Sequence, residues 1–249
     1  MKNIEVFEFL NSLFPCEHAM DFDNVGFLVG DRNVEVKKVL VTLDCDRTAV
    51  QKAIDTQCSL IVTHHPVIFD GLKSVTENDI VFELIKNGIA VISMHTNLDV
   101  GINGVNDCLC AAVDFDECAL IPDDEYRLLR VGHFCEGISA HTLAERLHNA
   151  LHTRIKYVDG GNTIKKVLLC GGSGGDLFHR LRTLECDALL TADVKHNVFI
   201  DAINQGLTVF DAGHYATEDV VVEPLASAIR AHFTDLDVIT HHHDRIIFA

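Results

Sequence analysis

Three observations in the sequence predict an α/β fold made of two linked, duplicated halves with largely parallel or mixed sheets. Apolar runs of strand length alternate with stretches of helical periodicity from Val36 onward. The run Lys37-Lys38-Val39-Leu40 returns further along the chain as Lys165-Lys166-Val167-Leu168. Residues 58–63 return at the same interval as 186–191, with Cys and Thr identical at the two ends (Cys58 and Cys186, Thr63 and Thr191). A constant offset across two strands and the segment between them is hard to obtain by chance.

Each element has its own reason. Ile4, Phe7, Leu10 and Phe14 recur at helical spacing, and Pro15 closes the first helix. Residues 36–43 read as a buried strand, 48–56 as a helix and 59–63 as the next strand. Residues 79–86 follow as a helix, 89–93 as a strand and 104–112 as a further helix. The strand at 89–93 has its counterpart at 207–211, at a somewhat shorter interval. A polar turn at Pro122-Asp123-Asp124-Glu125 separates the halves, at about 1–125 and 126–249.

Composition narrows the function. The 249 residues are 48% hydrophobic and 23% charged, which excludes a disordered or fibrous chain. A formal net charge of −17 without a basic patch argues against direct binding of nucleic acid or of acidic membrane surfaces. No apolar stretch approaches the roughly 20 residues that span a bilayer. Glu5 and Glu8 interrupt the stretch where a secretory signal needs an apolar run. The nine cysteines include no Cys-x-x-Cys, and they are expected to be reduced core residues of a cytoplasmic protein. A surplus of carboxylates together with 15 histidines suits a protein that holds divalent cations.

In open parallel sheets, ligands bind beyond the carboxyl ends of the strands. Those ends carry His64-His65-Pro66 and His95-Thr96-Asn97-Leu98-Asp99 in the first half. In the second they carry Asp193-Val194-Lys195-His196 and Asp211-Ala212-Gly213-His214, which continues to Glu218. One helical turn places His95 with Asp99, and His214 with Glu218, on a single face. Imidazole with carboxylate suits Zn, Fe, Mn or Co better than Ca or Mg. On an extended segment the His64 and His65 rings are expected to diverge, and Pro66 reinforces this. The glycine run from Gly171 to Gly175 is expected between a strand and a helix. It reads either as an anion nest for a phosphate or as a tight turn that needs positive φ and close packing.

These motifs resemble those of the Nif-three-like family, the GTP cyclohydrolase I type 2 homologues. The resemblance rests on Asp23-Asn24-Val25-Gly26, Thr63-His64-His65-Pro66, the segment His95 to Asp99, Gly104-Val105-Asn106-Asp107, Gly172-Ser173-Gly174-Gly175, and Asp211 through Glu218. It runs from the first helix to the last strand and fits the short form without a central insertion domain. Met20-Asp21-Phe22 stands where the family more often has an acidic residue, Pro and Trp.

The resemblance implies a toroidal homohexamer and a dinuclear centre of two divalent transition-metal ions per chain. It carries the ligands onto His64, His65, Asp99, His214 and Glu218, with Glu218 as the bridge. His95 matches a position near the metals, and His95 or His196 is the candidate catalytic proton carrier. Gly172, Ser173, Gly174 and Gly175 are the candidate phosphate-binding residues. Two functions follow: a dinuclear-metal-dependent hydrolase acting on a nucleotide or nucleobase, or a non-catalytic metal-binding or partner-binding protein.

Overall fold

The computed structural model describes residues 1–121 and 127–246; the turn expected at 122–125 lies outside the described residues. It is a mixed α/β protein with two sheets among the described residues. The chain divides into two compact units, Met1–Gly101 with Val222–Ala249, and Ile102–Val221.

The first unit opens with α1 (Asn3–Leu13), which buries Val6 and Leu10 and ends before Pro15. Its strands are β1 (Gly26–Val29), β2 (Lys38–Thr42), β3 (Leu60–Thr63) and β4 (Ala90–Ser93). Between them run α2 (Arg47–Thr56) and α3 (Ile80–Lys86), and α4 (Thr96–Val100) follows β4. Helix α2 starts where the Asp46 side chain accepts from the Thr48 and Ala49 amides, and it stops where Gln57 turns left-handed at φ 60°. The sheet order is β1-β4-β3-β2-β11, where β11 (Asp237–His241) is the chain's last strand. Only β1 runs antiparallel within it. Leu40, Ile61 and Val91 pack with Ala49, Ala53 and Leu84 of the crossover helices. Each such leucine, isoleucine or valine contributes about 1.5–3 kcal/mol by leaving water.

The second unit holds α5 (Val105–Val113), β5 (Glu117–Leu120), β6 (Arg130–Ile138), α6 (Ala140–Leu151), β7 (Lys156–Val158) and β8 (Ile164–Ser173). After these come β9 (Ala188–Ala192), α7 (His196–Gln205), β10 (Thr208–Asp211) and α8 (His214–Glu218). The order is β5-β6-β8-β9-β10-β7, with β8, β9 and β10 parallel and the flanking strands antiparallel. Strand alternation supplies a core to each face. Val167, Leu169, Leu190 and Phe210 pack on one side, and Leu168, Cys170, Leu189 and Val209 on the other.

The duplication is visible in strand register. Val39 pairs with Leu60 in the first sheet, and their counterparts in the repeat, Val167 and Ala188, pair in the second. The third strands follow: Leu60 opposes Ala90, and Ala188 opposes Thr208.

Three expectations need correction. The compact units do not divide near residue 125, because β11 pairs in parallel with β2 along its length and α9 (Val222–His232) packs on both. The C-terminal segment thus completes the first unit. The cysteines are not all reduced: Cys110 of α5 and Cys118 of β5 form a disulfide, their Cα atoms 6.3 Å apart. The glycine run is not a loop throughout, since Gly171, Gly172 and Ser173 finish β8 and a 3-10 turn, Gly175–Arg180, follows. Among the described residues no helix is long and apolar enough to cross a membrane.

Candidate metal centre

In the first unit, His64 and His65 follow β3. Their amides are held by carbonyls of the neighbouring strand end, His64 by Thr42 and Leu43 and His65 by Leu43. The chain leaves the extended path at this point, so the two rings converge instead of diverging, with centroids 5.0 Å apart. His95 caps α4, and one donor atom from each of His64, His65 and His95 lies within 4.8 Å of the others. Helix α4 also carries Asp99, whose Oδ1 is 3.5 Å from His64 Nε2. His64 is 1% exposed and Asp99 9%, so both are withdrawn from water.

Each ring is oriented through Nδ1. His64 Nδ1 lies 2.8 Å from the Met94 carbonyl oxygen, His65 Nδ1 2.7 Å from Asp44 Oδ1, and His95 Nδ1 2.9 Å from Asp23 Oδ1. A carbonyl or carboxylate oxygen only accepts, so the inferred tautomer carries its proton on Nδ1 and a lone pair on Nε2. Metal-ligating histidines are held in this way by their outer partners. Asp23 is buried, which raises its carboxyl. Hydrogen bonds from His95 and from the Thr96 hydroxyl and amide outweigh that and hold it well below the usual carboxylate range.

The second unit repeats the device. His214 Nδ1 is 2.7 Å from Asp193 Oδ2, and His214 Nε2 is 3.0 Å from Glu218 Oε2, one turn along α8. Glu218 is 4% exposed. Gly172, at φ +63°, lies against it: a Cβ there would stand 2.0 Å from Glu218 Oε1. The Gly172 amide donates to Thr217 Oγ1, the Gly171 amide to Asn106 Oδ1, and a Cβ on Gly174 would lie 2.3 Å from Thr191 Oγ1. Close packing therefore requires glycine at Gly172 and Gly174.

The donor set of each unit, oriented imidazole beside buried carboxylate, fits a divalent transition metal. His196 opens α7 with an exposed side chain, and the residue that engages His214 is Asp193. Of the three supporting carboxylates, sequence reasoning left out Asp44 and gave Asp23 and Asp193 no role toward the histidines. Asp44 and Asp193 follow β2 and β9 at carboxyl ends, and Asp193 occupies the position in the repeat that His65 holds in the first half. That position was the available signal. Asp23, by contrast, stands in the sequence only as part of the Asp23-Asn24-Val25-Gly26 motif.

A two-sheet α/β protein with histidine–carboxylate clusters at strand ends defines the class. The chain belongs to the Duf34/NIF3 (NGG1p interacting factor 3) family, whose match covers residues 1–245. It is 35% identical over 229 residues to a GTP cyclohydrolase 1 type 2 homolog of Streptomyces coelicolor, covering 86% of this chain and 80% of that protein. A GTP cyclohydrolase 1 type 2 homolog of Clostridium acetobutylicum is 30% identical over 215 residues, covering 82% and 80%. Among solved structures, a Staphylococcus aureus hypothetical protein matches with a TM-score of 0.92 at 27% identity, covering 100% of this chain and 99% of that one. Reduced HcgD from Methanocaldococcus jannaschii matches with a TM-score of 0.84 at 29% identity, covering 96% and 97%.

Proposed function

We propose that the protein is a dinuclear-metal-dependent hydrolase acting on a nucleotide or nucleobase, with His64, His65, Asp99, His214 and Glu218 as the ligands. The observation that carries this reading is the common treatment of the histidines. Every one of His64, His65, His95 and His214 gives Nδ1 to an acceptor, which leaves Nε2 as the ligating atom. The family resemblance assigns the five ligands, and the names of the curated relatives direct attention to purine substrates.

Bound divalent ions supply Lewis acidity and lower the pKa of a water to about 7. The chain's own residues do the rest. Asp44, Asp193 and the Met94 carbonyl hold their rings against rotation. Asp23 keeps the His95 proton on Nδ1, so that Nε2 is the atom that accepts and returns a proton.

The same reading places six copies in a ring. Phe82 and Ile85 of α3 are 37% and 60% exposed, and Ile200 and Ile203 of α7, at the interval that separates Ile89 from Leu207, are 43% and 52% exposed. Exposed apolar pairs at equivalent positions of both repeats support an interface between copies. A cytoplasmic setting belongs to the same reading; the free, buried Cys45, Cys58 and Cys186 support it, and the Cys110–Cys118 disulfide counts against it.

The test is turnover of a panel of purine nucleotides, nucleosides and bases by metal-replete protein, beside Glu218→Ala. Metal-dependent hydrolysis lost in the variant supports the proposal. Full metal occupancy without turnover on any member would point to a metal-binding protein instead.

A further inference from the structure

Beside His65 the first unit opens into a cavity of about 340 Å³, within the range of small-molecule sites. Val67, Leu72, Ile80 and Val81 give it apolar walls, and Asp44, Asp46 and Asp79 supply its polar groups. The Cys45 thiol also lines it; burial, with Asp46 and Asp44 nearby, pushes that thiol up to about 12 and keeps it neutral.

No lysine or arginine lines the cavity among the described residues. The two neighbouring guanidiniums are already paired, Arg245 with the cavity's own Asp46 and Arg47 with groups outside the lining. Arg245 is 3.6 Å from Asp46 Oδ2, while Arg47 bonds Glu83 at 3.1 Å and also the Asn78 carbonyl. Asp44 Oδ1 accepts from His65 Nδ1, and Asp79 Oδ2 accepts from the Thr76 amide and hydroxyl. The other oxygen of each carboxylate remains to accept a hydrogen bond from a ligand. Apolar walls with three carboxylates as the charged groups favour a molecule rich in N–H donors, and they disfavour a phosphate group.

We propose that this cavity is the substrate pocket and that it takes an uncharged or cationic N–H-bearing heterocycle, of the size of a purine base or nucleoside, in preference to a nucleotide. The proposal deepens the hydrolase reading and rests on it, since His65 is at once cavity wall and proposed ligand.

Full-length protein labelled with ¹³C on the Ile, Leu and Val methyl groups, metal-replete and metal-stripped, is titrated with guanosine and with GTP. The expected result is guanosine-dependent shifts centred on the methyls of Val67, Leu72, Ile80 and Val81, with GTP binding at least about tenfold more weakly. Asp79→Asn should weaken guanosine binding by about tenfold with metal content unchanged. Silent or scattered methyls, or GTP binding as tightly as guanosine, would overturn the proposal. Metal bound with silent methyls rejects the pocket alone. Guanosine shifts in a protein that takes up no metal reject the hydrolase reading and leave the pocket standing.

Discussion

Gly172 and Glu218 are in such close contact that a methyl group on the glycine would stand 2.0 Å from the carboxylate oxygen Oε1 and 3.3 Å from His214 Nε2. Strand β8 and helix α8 approach this closely only because one side chain is missing. Gly172→Ala is therefore expected to push the Glu218 carboxylate off its position, with a left-handed strain of about 1–3 kcal/mol at φ +63° in addition. Metal retention after dialysis, measured by elemental analysis, should fall at least about tenfold. Retention equal to wild type would show that the contact does not govern the site.

Asp193 orients His214 through Nδ1 but is itself half exposed. Neutralising it should cost little stability and much affinity. Asp193→Asn is expected to weaken metal binding by about 10–100-fold in competition against a chelating dye. Glu145→Gln, on the exposed face of α6, serves as the control and should bind as wild type does. Equal affinity in both variants would remove Asp193 from the site.

Asp46 caps α2, and Asp46→Ala should cost about 1 kcal/mol of stability at neutral pH. Burial raises this carboxyl, but bonds from the Thr48 hydroxyl and the Ala49 and Thr48 amides more than offset it and leave it below its ordinary value. A depressed folded pKa gives stability that is present above the unfolded value of about 3.9 and is lost as pH falls through the folded one. Urea titrations should thus show a gap between wild type and variant at pH 7 that closes in acid. A gap of constant size would contradict the assignment.

Much of this architecture was legible because it depends on local pattern. The Lys37 and Lys165 runs, the Cys–Thr bracketed strands and the interval between them predicted two duplicated halves, and the strand registers of the two sheets repeat. His214 and Glu218 were readable as a pair from helical spacing alone. The chain's return to the first unit was not, because nothing in Val238 to His241 says which strand they will pair with; that is decided at long range by β2. Convergence of His64 and His65 was also hidden. It follows from amides captured by Thr42 and Leu43 at the end of the preceding strand, and no local rule reports such bonds. Asp23 is hardest of all, because its bond to His95 joins residues 72 apart.

Counting metal most directly tests the proposed pair of ions held by His64, His65, Asp99, His214 and Glu218. Untagged protein purified without chelator, and then reconstituted, should contain about two transition-metal ions per chain by elemental analysis. Glu218→Ala, still folded by circular dichroism, should lose them. Protein that holds no metal after reconstitution, or a variant that holds as much as wild type, would contradict the central claim.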